Sequence, residues 1–362
     1  MSSGKLRQLI KITSAIALIV LGGTNTAIST TPAPIELAIE PKFDYAGDFS
    51  EGLARIGLGE TPENEATYGY RKIDSYGYIN RQGKIVIPVQ FKRAGDFSQG
   101  LAWIGTDTNG DGYADSYGYI DKTGKQVIKP KFTEAGNFSS GLAPVTLNSQ
   151  NGYINQKGKL VLKLKYKYLE QFHEGLARVG VQTPQGSFKY GYINTQGKLV
   201  IPLKFAQSGN FSAGLASTGS IDNRTLGYIN KRGKVVLKIP QLDTYVAGEF
   251  ADGMAVVELS GGACSAAAYC EYRYINRRGK VALEPTTGNW TNAGKFAQGF
   301  APVATGGGGR DAGGFYPATG WGFINRQGKF VIAPQFGDAG SFSEGLARVE
   351  VNGKYGYIPL PK

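Results

Sequence analysis

The stretch DTNGDGYAD places Asp107, Asn109, Asp111 and Asp115 at positions one, three, five and nine, with Gly112 at six. With the Tyr113 carbonyl at position seven, that is how a calcium loop begins: oxygen ligands at alternate positions and a glycine for the sharp turn. The chemistry would be coordination of one Ca²⁺. A helix-loop-helix sensor also needs a glutamate at position twelve, and Gly118 stands there instead. The stretch reads either as a lone structural Ca²⁺ site that stiffens a long connection, or as a polar loop held by Asx turns without metal.

Other reactive chemistry is short of parts. His173 is the single histidine, and it replaces a serine of a repeated motif. Cys264 and Cys270, the two cysteines, sit in CSAAAYC. That spacing suits a local loop-closing disulfide, and CxxC metal spacing is absent. With no second histidine and the two cysteines read as paired, Ser-His, Cys-His and His-metal chemistry lose their parts, and His173 reads as a residue of the repeated structural motif. Paired carboxylates could in principle serve a glycan hydrolase. The recurring candidate position, however, drifts through Glu51, Gln99, Ser140, Glu174, Ala213, Asp252, Gln298 and Glu344, which reads as a solvated turn. GGGGRDAGG lacks the Lys-Ser/Thr ending of a phosphate loop and reads as flexible.

The lysines are more regular. Lys84, Lys125, Lys159, Lys198, Lys234, Lys280 and Lys329 each follow a turn glycine in successive copies of one repeat. Arg81, Lys122, Lys231, Arg277 and Arg326 occupy the turns themselves. Equivalent turns of a regular repeat share one rim, so the charge should gather as a basic ring. Such a ring could attract an anionic glycan or phospholipid headgroups. Equally, lysine at an exposed strand start guards a sheet edge against aggregation.

These positions depend on a repeat that organises the chain. GYIN-like motifs begin at 77, 118, 152, 191, 227, 273, 322 and 356, and FSEGLA-like motifs at 49, 97, 138, 172, 211, 250, 296 and 342. They alternate strictly, about 40 residues apart. Within one copy, YGYIN reads as a strand and NRQGK as a turn, with Asn80 bonding back to the backbone and Gly83 left-handed. IVIPVQF reads as an apolar strand whose Pro88 suggests an edge or bulge. GLAWIG is a further strand, and FKRAGDF is either a short strand or a loop. No segment has helical periodicity. A copy of three or four strands cannot bury both faces alone, so neighbours must stack.

The two ends of the repeat region are complementary. IELAIEPKF aligns with the second strand of a copy, and GYIPLPK supplies a first strand. Joining them would close a propeller-like toroid of eight β-units and remove exposed edges. The alternative is an open β-solenoid or superhelix. Three insertions, at 107–115, around CSAAAYC and at 304–320, all precede a GYI strand. They should project from one face, opposite the lysine turns, where loops on a rigid scaffold commonly bind partners.

The unit GYIN-xxGK-xVIPxxF-xxAGxFSxGLAxV resembles the WG-containing repeat of many bacterial proteins. The resemblance covers nearly all of residues 35–362. The name-giving Trp-Gly occurs only at Trp321-Gly322. Elsewhere Tyr76, Tyr117, Tyr190 and Tyr355 precede the glycine, and Asn151 and Leu226 depart from the aromatic. The resemblance implies a β-repeat module and carries no catalytic residues to transfer.

Ahead of the repeats, Lys5, Arg7 and Lys11 precede ITSAIALIVLGG, an apolar run of about twelve residues. A membrane span needs roughly 20, so residues 1–27 read as a signal peptide cut near Ala27, or as a retained anchor. Asn25 is a poor residue three before the cut. Residues 28–34 read as a linker. The mature chain would keep a strong basic excess, and an exported chain suits a disulfide. The expectation is a monomeric, exported, periplasmic or extracellular binding or scaffolding module. It would recognise a protein or an anionic polysaccharide or lipid headgroup, without nucleic acid and without catalysis.

Overall fold

A computed structural model describes residues 35–59, 73–219, 226–239, 244–259, 271–285, 290–306, 310–311, 314–315 and 320–361. The expected signal peptide, linker and Cys264–Cys270 disulfide lie outside the described residues. The described chain is all β, and none of its helices is long and apolar enough to cross a membrane because it has none.

Eight small antiparallel sheets form a closed ring, the arrangement of an eight-bladed β-propeller. In blade 1 the strands run Tyr45–Ala46, Leu53–Leu58, Ser75–Asn80 and Ile85–Phe91, from the axis outward. Blades 2 to 7 repeat this over residues 93–132, 134–163, 168–205, 207–238, 244–283 and 290–336. The sequence repeat and the blade are out of phase. GYIN and IVIPVQF end blade 1, whereas FKRAGDF and GLAWIG begin blade 2. The FKRAGDF piece does form a strand, but only as Arg93–Ala94. Shrinking the innermost strand to two residues, as in blades 1, 2, 3 and 5, is how a unit as short as 34 residues holds four strands.

Blade 8 is composite. Leu346–Val351 pairs with Lys354–Pro359, which pairs with Ile39–Phe43. Ala339 bridges Val349 on the axial side. The terminal strands are therefore hydrogen-bonded to each other, which an open solenoid does not provide. The Tyr357 hydroxyl donates to Gly47 O at 2.7 Å, and Ser343 Oγ donates to Phe49 O at 2.6 Å, both across this seam.

The core is divided into eight clusters, one in each gap between blades. The GYI strand explains why. Successive side chains point to opposite faces of a sheet, so Tyr78 packs toward blade 2 and Ile79 toward blade 8. Both faces are covered, and the run reads as continuously buried. Gly77 precedes them because a Cβ there would lie 2.7 Å from Ile87 O and 2.9 Å from Pro88 C of the bulged outer strand. Blade 6 carries Arg273 at that position, and its outer strand shrinks to Val281–Leu283.

Candidate functional site

Chain direction gives the ring two unlike faces. The turn face carries the FSxGLA and NxxGK turns. The insertion face carries the connections that precede each GYI strand and the crossings from one blade to the next.

On the turn face, FSEGLA closes a two-residue hairpin. Ser50 and Leu53 exchange backbone bonds of 2.8 and 3.2 Å, with Glu51 and Gly52 both at positive φ. Two left-handed residues make the turn type whose twist suits a hairpin. The residue after FS is thus in a turn, as expected, but it is not merely solvated. Glu51 accepts from Gln99 N and Gly100 N of blade 2 at 2.6 and 3.0 Å. Gln99, Glu174, Asp252, Gln298 and Glu344 each accept from the equivalent glycine N–H of the next blade. Glutamate, glutamine and aspartate all supply an accepting oxygen, which accounts for six of the eight residues at this position; Ala213 has no side-chain acceptor. Burial raises the Glu51 pKa, but its bonds to Lys122 and the two amides outweigh this and hold it below the usual range.

Serines add a second bond between neighbours. Ser50, Ser98, Ser139, Ser212 and Ser343 donate to the Phe carbonyl of the following blade. His173 interrupts this series. It is half-buried, and its Nε2 lies 3.2 Å from Gln171 Nε2.

The basic residues within the turns join the same clasp. Lys122 and Lys231 pair with Glu51 and Glu174 of the preceding blade at 3.1 and 3.0 Å, and Arg326 with Asp252 at 3.3 Å. Arg81 and Arg277 donate to Glu344 O and Ala213 O. Lys84, Lys125, Lys159, Lys198, Lys234, Lys280 and Lys329 are exposed on the outer rim of this face. The pairing of Ile39 with Tyr357 puts Glu36 at the corresponding place in blade 8.

On the insertion face, residues 107–115 form an exposed loop between the second and third strands of blade 2. Asp107 accepts from Gly110 N and Gly112 N at 2.6 and 2.8 Å. Asn109 Oδ1 accepts from Asp111 N, and Asp111 Oδ1 from Tyr113 N. Asp115 accepts from Thr108 N and its hydroxyl, which holds its pKa down. The loop closes on itself through Asx turns.

A cleft of about 630 Å³ opens beside it, across blades 1 to 3. Tyr76, Trp103, Tyr113 and Tyr117 form its aromatic lining, Lys92 and Arg93 supply positive charge, and Asp74 and Glu134 supply carboxylates. A second hollow of about 280 Å³ shares Glu134 and Ala135 and continues toward Lys167 in the connection to blade 4. These volumes suit a small-molecule or single-segment ligand.

Trp103 decides the character of the cleft. It occupies the position after LA, which covers the glycine of the AG pair in its own blade. In three blades that position is arginine, caged by tyrosines. Arg55 lies 5.1 Å from the Tyr45 ring, Arg178 5.1 and 5.2 Å from Tyr168 and Tyr190, and Arg348 5.7 Å from Tyr355. Each is also tied to a carboxylate: Asp96, Glu170 and Asp338 respectively. Those gaps are filled by their own cation. In blade 2 the indole packs on Tyr117 at 5.9 Å and brings no charge. The residues of this cleft were not singled out by motif. The available signal was the one aromatic among Arg55, Trp103, Pro144, Arg178, Ser217, Val256, Pro302 and Arg348 at equivalent places.

A family model described as the WG containing repeat matches residues 36–60, 76–107, 117–150, 152–181, 190–217, 227–262 and 321–355, more than half of the chain. No curated protein sequence matches. Among solved structures, similarity is found to a prolyl endopeptidase (11% identity, TM-score 0.46, 77% of this chain), of which the chain spans only 48%. The WD40 domain of Toxoplasma gondii coronin is similar at 10% identity and TM-score 0.42, covering 74% of this chain and 80% of that one. AztD from Citrobacter koseri is similar at 10% identity and TM-score 0.43, covering 84% and 87%.

Proposed function

The chain belongs to the WG-containing repeat family, and from that premise we propose that it is an exported, non-catalytic binding module of the bacterial envelope that recognises an anionic glycan on its insertion face. The observation that carries this reading is the cleft at blades 1 to 3. Aromatic faces suit the C–H faces of sugar rings. Lys92 and Arg93 suit a uronic-acid carboxylate, and Asp74 and Glu134 can accept from hydroxyls. Export rests on the basic start and short apolar run of residues 1–27.

The loop at 107–115 belongs to the same reading, because Gly112, Tyr113 and Ala114 form one wall of the cleft. A structural Ca²⁺ there would require Asp107, Asp111 and Asp115 to exchange their Asx bonds for metal bonds. An isothermal titration with no uptake at millimolar Ca²⁺ removes that part.

The test of function is binding of purified residues 28–362 to carboxylated and neutral oligosaccharides of equal length. The reading expects saturable binding of the carboxylated series, no turnover, and at least a tenfold weakening in Trp103→Ala. Stoichiometric recovery of an envelope protein in place of a glycan, lost in the same variant, would keep the cleft and replace the ligand class. Hydrolysis of the oligosaccharide would overturn the non-catalytic reading.

A further inference from the structure

Twelve large apolar side chains are exposed among the described residues, and ten of them lie in one band. They are the first residues of the outer strands, immediately after the turn lysines. Val86, Val127, Val161, Val200, Val236 and Val331 are 38–49% exposed in six different blades. Ile85, Leu199, Val235 and Val281 stand beside them, also exposed. The lysines of the same turns are exposed on the same rim. The pattern stops at the seam, where Glu36 replaces the lysine and Ala38 the valine. Seven blades therefore present a combined cationic and apolar girdle, on the side opposite the cleft.

We infer that this girdle docks the ring, turn face down, on an anionic lipid bilayer surface. Lysines gain from the negative potential near anionic headgroups, and apolar side chains beside them gain from entering the headgroup boundary. The alternatives fit less of the observation. A second copy stacked turn face to turn face would oppose two lysine rings of the same sign. A soluble acidic polymer would neutralise the lysines and leave the apolar band wet. Protection of an edge strand explains the lysines, but it does not call for an apolar band. The bilayer alone uses both. Because the surface lies opposite the insertion face, the inference does not rest on the glycan reading, and the cleft would face away from the membrane.

The experiment is co-sedimentation of residues 28–362 with vesicles of 30:70 phosphatidylglycerol:phosphatidylcholine, of phosphatidylcholine alone, and with soluble heparin as a charge-only control. The expected result is partitioning to the anionic vesicles at least tenfold above phosphatidylcholine, weakened by salt. The triple change Lys84→Glu, Lys198→Glu, Lys280→Glu should reduce it by tenfold or more. Val86→Ser, Val200→Ser, Val236→Ser should reduce vesicle binding severalfold and leave heparin binding unchanged. These side chains are exposed, so both variants should keep the wild-type unfolding midpoint within a few degrees. Trp103→Ala should leave vesicle binding intact even where it abolishes glycan binding. No partitioning at low salt overturns the inference. So does vesicle binding that the valine changes do not touch, since it would then be charge attraction alone.

Discussion

The two faces of the ring are built from the same eight units, yet they obey different rules. On the turn face the polar groups of the FSxGLA turns are bonded to a neighbouring copy. Ser50 reaches Phe97, Glu51 reaches Gly100, and Lys122 reaches back to Glu51. A change in one unit is felt by its neighbour, so most residue types there recur or vary within a shared hydrogen-bonding capacity, with Ala213, Ala251 and Ala297 as the departures. On the insertion face the described connections close on themselves. Blades 3 and 8 use two-residue turns, Asn148-Ser149 and Asn352-Gly353, all left-handed, whereas blade 2 inserts nine residues held by their own Asx bonds. Where a bond does cross between copies there, as from Lys354 Nζ to Asp44 Oδ1 at 2.6 Å, it belongs to one pair of blades among the described residues, so length and composition can diverge. Periodic contacts mark architecture, and departures from them mark the surface free to acquire a ligand.

The largest expected effect comes from cutting into the periodic side. Phe49 is fully buried and packs on Tyr357 at 4.9 Å across the seam. Phe49→Ala should cost about 3–5 kcal/mol by denaturant unfolding. Replacing 107–115 by Asn-Gly, copying the turns of blades 3 and 8, should change stability by less than about 1 kcal/mol while removing cleft binding. Equal destabilisation by the two changes would erase the distinction between the faces.

Tyrosine hydroxyls sharpen the comparison. Tyr78, Tyr119, Tyr192, Tyr228, Tyr274 and Tyr357 donate to the carbonyl of the following blade's AG glycine, and Tyr153 to Glu170 O. Phe323 stands in this place in blade 7 without a hydroxyl. Tyr78→Phe should lose about 1 kcal/mol, and Phe323→Tyr should gain a comparable amount by bonding Gly340 O, as far along the chain as Tyr119 is from Gly136. Calorimetric midpoints moving in opposite directions are the expected reading.

The same tyrosines set an alkaline limit. Burial raises their folded pKa values above 10, that of Tyr192 to about 12. A raised folded pKa stabilises fully below the unfolded value near 10 and loses that contribution as pH climbs through the folded one. Stability should therefore fall steeply above pH 10, with coincident tyrosinate absorbance, and the 107–115 replacement should leave that transition in place. The smallest effect is at Asp48. Burial, opposed by Arg348, raises its pKa, so it favours folding below pH 4 and loses that contribution as pH rises through its folded value. Asp48→Asn, which copies Asn137 and Asn210 of other blades, should flatten that part of the pH–stability curve.

Much of the fold was legible in the residues. Asn80 and Gly83 announce their turn, and Asn80 Oδ1 does accept from Gln82 N and Lys84 N. Pro88 announces an edge strand, and the strand is the outermost one. The clasp at Glu51 was not legible, since its partners Gln99 and Gly100 lie 48 residues or more along the chain and the drift among copies concealed one shared role. Trp103 was one unlike residue among eight, and only its neighbours show it to be the floor of a cleft.

The amino-acid sequence by itself determined the eight repeats, their main strands and turns and the complementarity of the terminal strands, because alternation, turn chemistry and an internal repeat are local properties read eight times over. Only the tertiary structure decided where a ligand could sit and which charges remain unspent. Tyr76, Trp103 and Glu134 come from three blades and meet only when the ring is formed. Lys122 is consumed by Glu51 while Lys125, three residues on, stays exposed, because the first points into the gap between blades and the second away from it.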